Sequence, residues 1–425
     1  MAPLEPWAKV YLNHSDNTFE DIDPNHGALS CEDCHGGVGM VEAELSEEPT
    51  TAELQAVMAT AHDTDLDFRP DPATGENSVC ESCHYELVQR NKNSMHSMAW
   101  GERYKVAIRS TGSGNYENCP VEIKQGFEGE CANCHATCGE CHISRPNSVG
   151  GGFVERHRFR EPHMQDNCTA CHGTRIGDDY FGNLQGNDAD VHFRMGFDCM
   201  ECHTEDFHGA GIDPNNPPRN RYEVKKLPEC TDCHGDASDA NSYHQVHWQG
   251  EGSQDDLSCY VCHSQPYNSC NRCHTGGVYA EGYHETEPDV YEGSRGYKEF
   301  PSFRIAYNPA SDGGSWSPAL EANADEEWIL VRHIPLVRSS FEPWGWPQLS
   351  DYSVEETWEY TSPHNIKRWT SQTLVDTVAG EFCGANCHYT SATDSTRNLY
   401  LSREYLENEY PDEVEANSHL LPQNE

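Results

Sequence analysis

The 425-residue chain carries 71 Asp and Glu against 28 Lys and Arg, a formal charge of −43, and only 36% of its residues are hydrophobic. Repulsion at that charge excludes nucleic acid and anionic lipid as partners, and no apolar run reaches the roughly 18 residues of a membrane span, so no membrane insertion is expected. A mean hydropathy of −0.81 leaves a thin side-chain core for this length, while 21 Cys and 24 His point to chemistry built on sulfur and imidazole.

At the N-terminus, "MAPLEPWAKV" has neither the basic start nor the apolar core of an export signal, so the numbering is expected to begin at or near a mature N-terminus. The loop "DNTFEDIDPN" (16–25) has the carboxylate density of a calcium site, against the plainer reading of a solvated acidic surface. A five-residue unit, Cys-x-x-Cys-His, then appears as "CEDCH" (Cys31, Cys34, His35) and "CESCH" (Cys80, Cys83, His84). "CANCHATCGECH" gives it twice back to back (Cys131, Cys134, His135; Cys138, Cys141, His142). It returns at Cys168, Cys171 and His172, at Cys199, Cys202 and His203, and at Cys230, Cys233 and His234. "CYVCHSQPYNSCNRCH" holds two more (Cys259, Cys262, His263; Cys270, Cys273, His274), and "CGANCH" (Cys383, Cys387, His388) has one extra residue between its cysteines. These ten units take 20 of the 21 cysteines, and Cys119, left over, reads as a buried thiol.

Zinc sites vary their second ligand pair and have no reason to place His after the second Cys every time. A disulfide framework has no use for that His either. Covalent haem attachment needs it: two cysteines form thioethers to the porphyrin and the following His supplies an axial nitrogen to the iron. The reading is ten c-type haems, one for about 43 residues of a 425-residue chain. The porphyrins then supply the missing apolar core. The expected fold is mostly irregular coil with short α-helices around a chain of stacked haems, and a small β-rich or wrapping segment at about 275–382. Six of the nine tryptophans lie in that segment, and "EEWILVRHIPL" (326–336) reads as a buried strand. Four regions follow: 1–110 with two units, 111–274 with seven, 275–382 with none, and 383–425 with the tenth and an acidic tail. Seven residues separate His135 from His142, about 10 Å in a helix and about 23 Å at full stretch, so their haems are near neighbours. Thioether attachment takes place on the outer side of an energy-transducing membrane, which predicts an extracellular or periplasmic protein.

An electron-transfer haem takes a second axial ligand, whereas a catalytic one leaves that position open. Outside the ten units stand 14 histidines. His62, His96, His157, His192, His208, His244, His247, His333 and His364 are the expected distal ligands, with the tenth from His14, His26 or His284. His163 and His419 are set aside. No Ser/His/Asp or Gly-rich phosphate arrangement marks a catalytic site, and no catalytic residue is assigned.

Through its ten attachment units, from Cys31 to His388, the chain resembles multihaem c-type cytochromes; "CHISRPNSVGGGF", "NCTACHGTRIGDDYFG" and "TSPHNIKRWTSQT" look like segments of large members used in respiratory electron transfer. The resemblance implies electron transfer to other cytochromes or extracellular acceptors. Some members polymerise into extracellular conducting filaments, which would mean self-association here, with His14 or His26 able to ligate a haem of the next subunit. A soluble periplasmic carrier is the plainer alternative. Other members are periplasmic oxidoreductases that reduce nitrogen or sulfur oxyanions at one open-coordination haem; the absence of a Cys-x-x-Cys-Lys unit and the surplus of histidines weigh against that branch.

Overall fold

The computed structural model describes residues 23–29, 33–34, 48–61, 78–132, 136–146, 149–155, 157–183, 187–223, 227–235, 242–247, 257–265, 303–312, 326–334, 336, 338–370, 372–373 and 399–421. The chain forms two compact units. The first comprises Met1–Ser97, Cys134–Cys171 and Phe207–Ala210; the second comprises Met98–Asn133, His172–Asp206 and Gly211–Glu425.

The first unit is helical among its described residues, with α1 (Thr51–Ala61), α2 (Glu81–Asn91) and, from its second stretch, the short Cys138–His142 helix. The segment 207–210 lies against the end of α2. Gly209 makes that approach possible: its φ is +81°, and a Cβ there would stand 2.7 Å from the Arg90 carbonyl oxygen. The neighbouring His208 is thereby fixed relative to α2.

In the second unit, α3 (Trp100–Thr111) and α4 (Val121–Gly126) carry a core of Val106, Ala107, Ile123 and Phe127 that packs on Ile334, Phe341, Leu349 and Tyr352. Arg109 is fully buried because its guanidinium donates to the carbonyls of Tyr352, Glu355 and Glu356. A three-stranded antiparallel sheet follows the order β1 (Phe303–Tyr307), β2 (Trp328–His333), β3 (Trp358–Tyr360). β2 is the strand expected within 326–336. Register pairs Ile305 with Leu330 and His333 with Trp358.

Both faces of β2 are covered, which explains its run of apolar residues where alternation would mark a half-exposed strand. Ile329 and Val331 pack with Trp358, Tyr360, Leu401, Leu406 and Tyr410. Leu330, on the other face, packs with Phe303, Ile305 and Val261. Val261 belongs to "CYVCH", so the sheet seats one attachment unit directly. Ser258 N–H adds a 2.9 Å bond to the Trp328 carbonyl.

His333, one of the expected distal ligands, has both ring nitrogens engaged by protein groups. Its Nε2 lies 2.9 Å from Glu413 Oε2 and its Nδ1 lies 3.1 Å from the Ile334 carbonyl oxygen. Nε2 is thus engaged by a buried carboxylate and is not presented as a free ligand nitrogen. The pair is sealed in a polar network: Thr357 Oγ1 donates to Glu413 at 2.6 Å, and the Asn417 side chain bonds Thr357 N–H, Trp358 N–H and the Glu413 carbonyl. Burial alone would raise the Glu413 pKa, but the hydrogen bond and charge of His333, with Thr357 and Arg338, outweigh it and hold the carboxylate below the ordinary glutamate range.

His333→Ala should leave a buried carboxylate unpaired and cost about 3–5 kcal/mol in denaturant unfolding, without converting any haem to high spin. Because the folded-state pKa of Glu413 is depressed, its contribution is complete above the unfolded glutamate pKa and is lost as pH falls through the folded value. Unfolding midpoints measured down that range should fall in the wild type and flatten in Glu413→Gln.

Candidate haem centres

The attachment units are helical for a local reason. In "TCGECH", Thr137 Oγ1 accepts from Glu140 N–H while the Glu140 carboxylate accepts from Thr137 N–H, a reciprocal capping box. Asp198 and Glu201 repeat it before Cys199–Cys202, and Glu229 N–H donates to Asp232 before Cys230–His234. The acid in front of the second cysteine thus closes the first turn, and the two cysteines come one turn apart with His following. No disulfide joins any of the described cysteines.

Five attachment-unit histidines face a histidine from elsewhere in the chain. His84 pairs with His26 at 6.4 Å between ring centres, and His142 with His208 at 6.1 Å, both in the first unit. In the second unit His234 pairs with His192 at 6.2 Å, His203 with His364 at 6.3 Å, and His263 with His244 at 6.1 Å. Other histidine–aromatic contacts are closer: 4.4 Å for His26 and Phe159, 5.5 Å for His96 and Phe207, 4.9 Å for His333 and Tyr410. Stacked rings in direct contact would stand about 4 Å apart, yet His142 and His208 are parallel to within 3° at 6.1 Å.

A ring nitrogen binds a metal at about 2 Å, and the geometry of a five-membered ring puts that nitrogen about 1.2 Å from the ring centre. Two imidazoles on opposite sides of one iron therefore have centres about 6.3 Å apart. The five pairs fall at that spacing, and a haem iron fits them.

Six of these rings are also held through Nδ1. Nδ1 of His26 lies 3.2 Å from Asp23 Oδ2, that of His192 3.0 Å from Asp190 Oδ1, and that of His203 3.0 Å from Glu205 Oε1. Nδ1 of His142 donates to the Arg160 carbonyl at 2.7 Å, that of His263 to Lys367 at 3.0 Å, and that of His364 to Ser362 at 3.0 Å. With the proton on Nδ1, the lone pair is left on Nε2. Burial first, then the nearby His203 and Arg221, push His364 down to about 4, and burial likewise lowers His263. Both rings are neutral at ordinary pH, as ligation requires.

Successive units lie side by side. Cys80 and Cys138 lie within thiol hydrogen-bond reach, and Cys141 lies near Cys168 and Cys171. In the second unit Cys202 stands near Cys233, and Cys230 bonds Cys259. Each compact unit therefore brings together a run of cysteines from three attachment units, with His172, which follows Cys171, falling in the second compact unit.

The segment 361–373 straps the second run together. Ile366 N–H donates to Asp190 Oδ2 at 2.6 Å, and its carbonyl accepts from Val191. Lys367 N–H donates to the His263 carbonyl at 2.8 Å while its own carbonyl holds the His263 ring. Asn365 exchanges hydrogen bonds with Gln265, and Thr370 Oγ1 donates to Cys262.

Of the remaining expected ligands, His96 lies against Phe207 and His157 against Phe153, and His172 acts electrostatically on His364. His247 lies in the Ser242–His247 helix, but its side chain, like His14, His35, His62, His135, His274, His284, His388, Cys31, Cys134, Cys270, Cys273, Cys383 and Cys387, lies outside the described residues. His163 faces Asp166 at 3.3 Å and His419 faces Glu356 at 3.8 Å. Of the 16–25 loop, 16–22 lie outside the described residues, and Asp23 accepts from His26, Asn25 N–H and Phe159 N–H. Among the described residues no three His, Cys, Asp or Glu side chains converge on one cation position. Cys119 is buried with its sulfur 3.7 Å from Ser110 Oγ, and burial raises its pKa.

Sequence reasoning missed Asp23, Asp190 and Glu205, the carboxylates that hold imidazoles. A signal was present: an acid two or three residues from His, as in "DPNH", "DVH" and "HTE". No protein-family model, curated protein or solved structure matches the chain.

Asp190→Ala removes the bonds to His192 N–H, His192 Nδ1 and Ile366 N–H together. It should destabilise by about 3 kcal/mol, against about 1 kcal/mol for Thr137→Ala, which removes one cap; denaturant midpoints compare them.

Proposed function

We propose that the chain is an electron conduit carrying ten covalently attached haems with histidine on both faces of each iron. The observation that carries the reading is the set of five histidine pairs spaced 6.1–6.4 Å, each joining one attachment-unit His to one distant His. Bound haem supplies one-electron exchange at iron. The chain's own residues would do the rest: the cysteines would hold the haem covalently, the paired imidazoles would ligate its iron, and acids and carbonyls hold those imidazoles from behind. With both axial positions filled there is no place for a substrate on iron, which favours conduction over oxyanion reduction. Removing His333 from the 14 histidines, with His163 and His419 set aside, leaves 11 for ten positions, so complete ligation is still affordable.

Among the described residues no helix is long and apolar enough to cross a membrane. We place the protein outside the cell or in the periplasm, where attachment takes place, passing electrons to other cytochromes or extracellular acceptors. End-to-end assembly into a filament extends the same reading. His26 is already paired with His84 of its own chain, so ligation across a subunit boundary would fall to His14.

Protein made in a host that attaches haem should gain the mass of ten haems and show only low-spin ferric signals in electron paramagnetic resonance. A protein without covalent haem, or with a stoichiometric high-spin signal, would contradict the reading. His364→Ala should convert one haem to high spin. With a charge of −43, filaments should form only where salt or divalent cations screen repulsion; electron microscopy that shows discrete particles at every salt and calcium level would rule assembly out.

A further inference from the structure

Asp179, on the four-residue helix Asp178–Phe181 of the second unit, is 0% exposed, and neither carboxylate oxygen has a hydrogen-bond partner. Native proteins rarely leave a buried carboxylate in that condition without a use for it. Its surroundings tie it to two of the centres. The chain turns at Gly182, φ +71°, where a Cβ would stand 2.3 Å from Ala189 N, and this tight return brings Asp190 toward Asp179. Asp190 holds the His192 ring. From the strap, the Asn365 amide approaches Asp179 without completing a bond, and Asn365 follows His364 directly.

The charged groups that act on Asp179 are Asp178 on its own helix and Asp190 across the turn, both acidic; the strap contributes the neutral Asn365. Burial first, then Asp178 and Asp190, push its pKa up to about 8, against the pull of Asn365. A further negative charge nearby raises the proton affinity of such a group again.

We infer that Asp179 is the proton site coupled to reduction of the two centres whose axial rings are His192 with His234 and His203 with His364, an inference that rests on the haem reading above. One electron arrives at either iron from a one-electron donor, and one proton from solvent forms an O–H bond on the Asp179 carboxylate. The proton returns to solvent when the electron passes on. No bond to iron changes. By reciprocity, protonation of Asp179 favours reduction and reduction favours protonation by the same factor.

The test is potentiometric titration of the full haem-loaded chain between about pH 6 and pH 9, a range that brackets the Asp179 value of about 8. One or two haems should lose potential as pH rises, by up to about 59 mV for each tenfold fall in proton activity. Asp179→Asn should flatten that slope and Asp179→Glu should retain it. A wild-type slope in Asp179→Asn, even with all potentials displaced equally, would overturn the inference and leave Asp179 a packing residue. Should Asp179→Asn not fold, infrared difference spectra of the wild type near pH 9, above the Asp179 value of about 8, decide: a protonated-carboxyl band gained on reduction supports the proposal, and its absence overturns it. Intact mass separates the two readings, because a chain without covalent haem removes the haem reading itself, whereas ten haems with unchanged slopes remove only the role of Asp179.

Discussion

A neutral imidazole carries its lone pair on one nitrogen, and a hydrogen bond at the other decides which one and where it points; the arrangement of this protein's paired histidines follows from that constraint. In each of the five histidine pairs at least one ring is fixed through Nδ1 by a carboxylate or a carbonyl. His333 shows the same chemistry with the opposite result. Its Nε2 is committed to Glu413, and the residue becomes part of the core under the sheet. Two histidines of equal promise in sequence are thus separated by which nitrogen a buried acid reaches.

Holding rings from behind requires backbone that is itself fixed, and the second unit meets that need with few elements. Val261 seats one attachment unit on β1 and β2. The 361–373 strap then ties that unit, through Lys367 and Thr370, to the Asp190–His192 turn through Ile366, and it carries His364 in between. Short helices could not hold such positions alone, since isolated helices of four or five residues are not stable in water. Capping boxes define their first turns, and sheet and strap supply the long-range restraint.

The repeated Cys-x-x-Cys-His spacing was legible because each copy lies within five or six consecutive residues. The strand at Trp328–His333 was legible from its β-branched run. The pairing of histidines was not: His203 meets His364 and His26 meets His84 across long loops, and nothing local encodes which distant ring arrives. His333 misled because a histidine at the end of a buried strand looks like a ligand until its partner, 80 residues away, is known. The carboxylates behind the rings were overlooked for a related reason. In a chain with 71 acids, any one of them reads as surface.

That last point changes what the acidity means. Asp23, Glu140, Asp179, Asp190 and Glu413 are all at most 6% exposed. Two of them hold the rings of histidine pairs, one closes a capping box, and one forms the ion pair beneath the sheet. A buried carboxylate is tolerated when donors surround it, and backbone N–H groups and Nδ1–H supply those donors for Asp23 and Asp190. The net charge of −43 is therefore part solubilising surface and part internal scaffolding. The internal acids also place negative charge behind the imidazoles. If these rings hold haem iron as proposed, that charge would strengthen them as donors to a ferric centre more than to a ferrous one and would bias the centres toward low reduction potential. Asp179 is the member of this set that no donor satisfies, which leaves it as the internal acid whose proton occupancy can follow the charge of its neighbours.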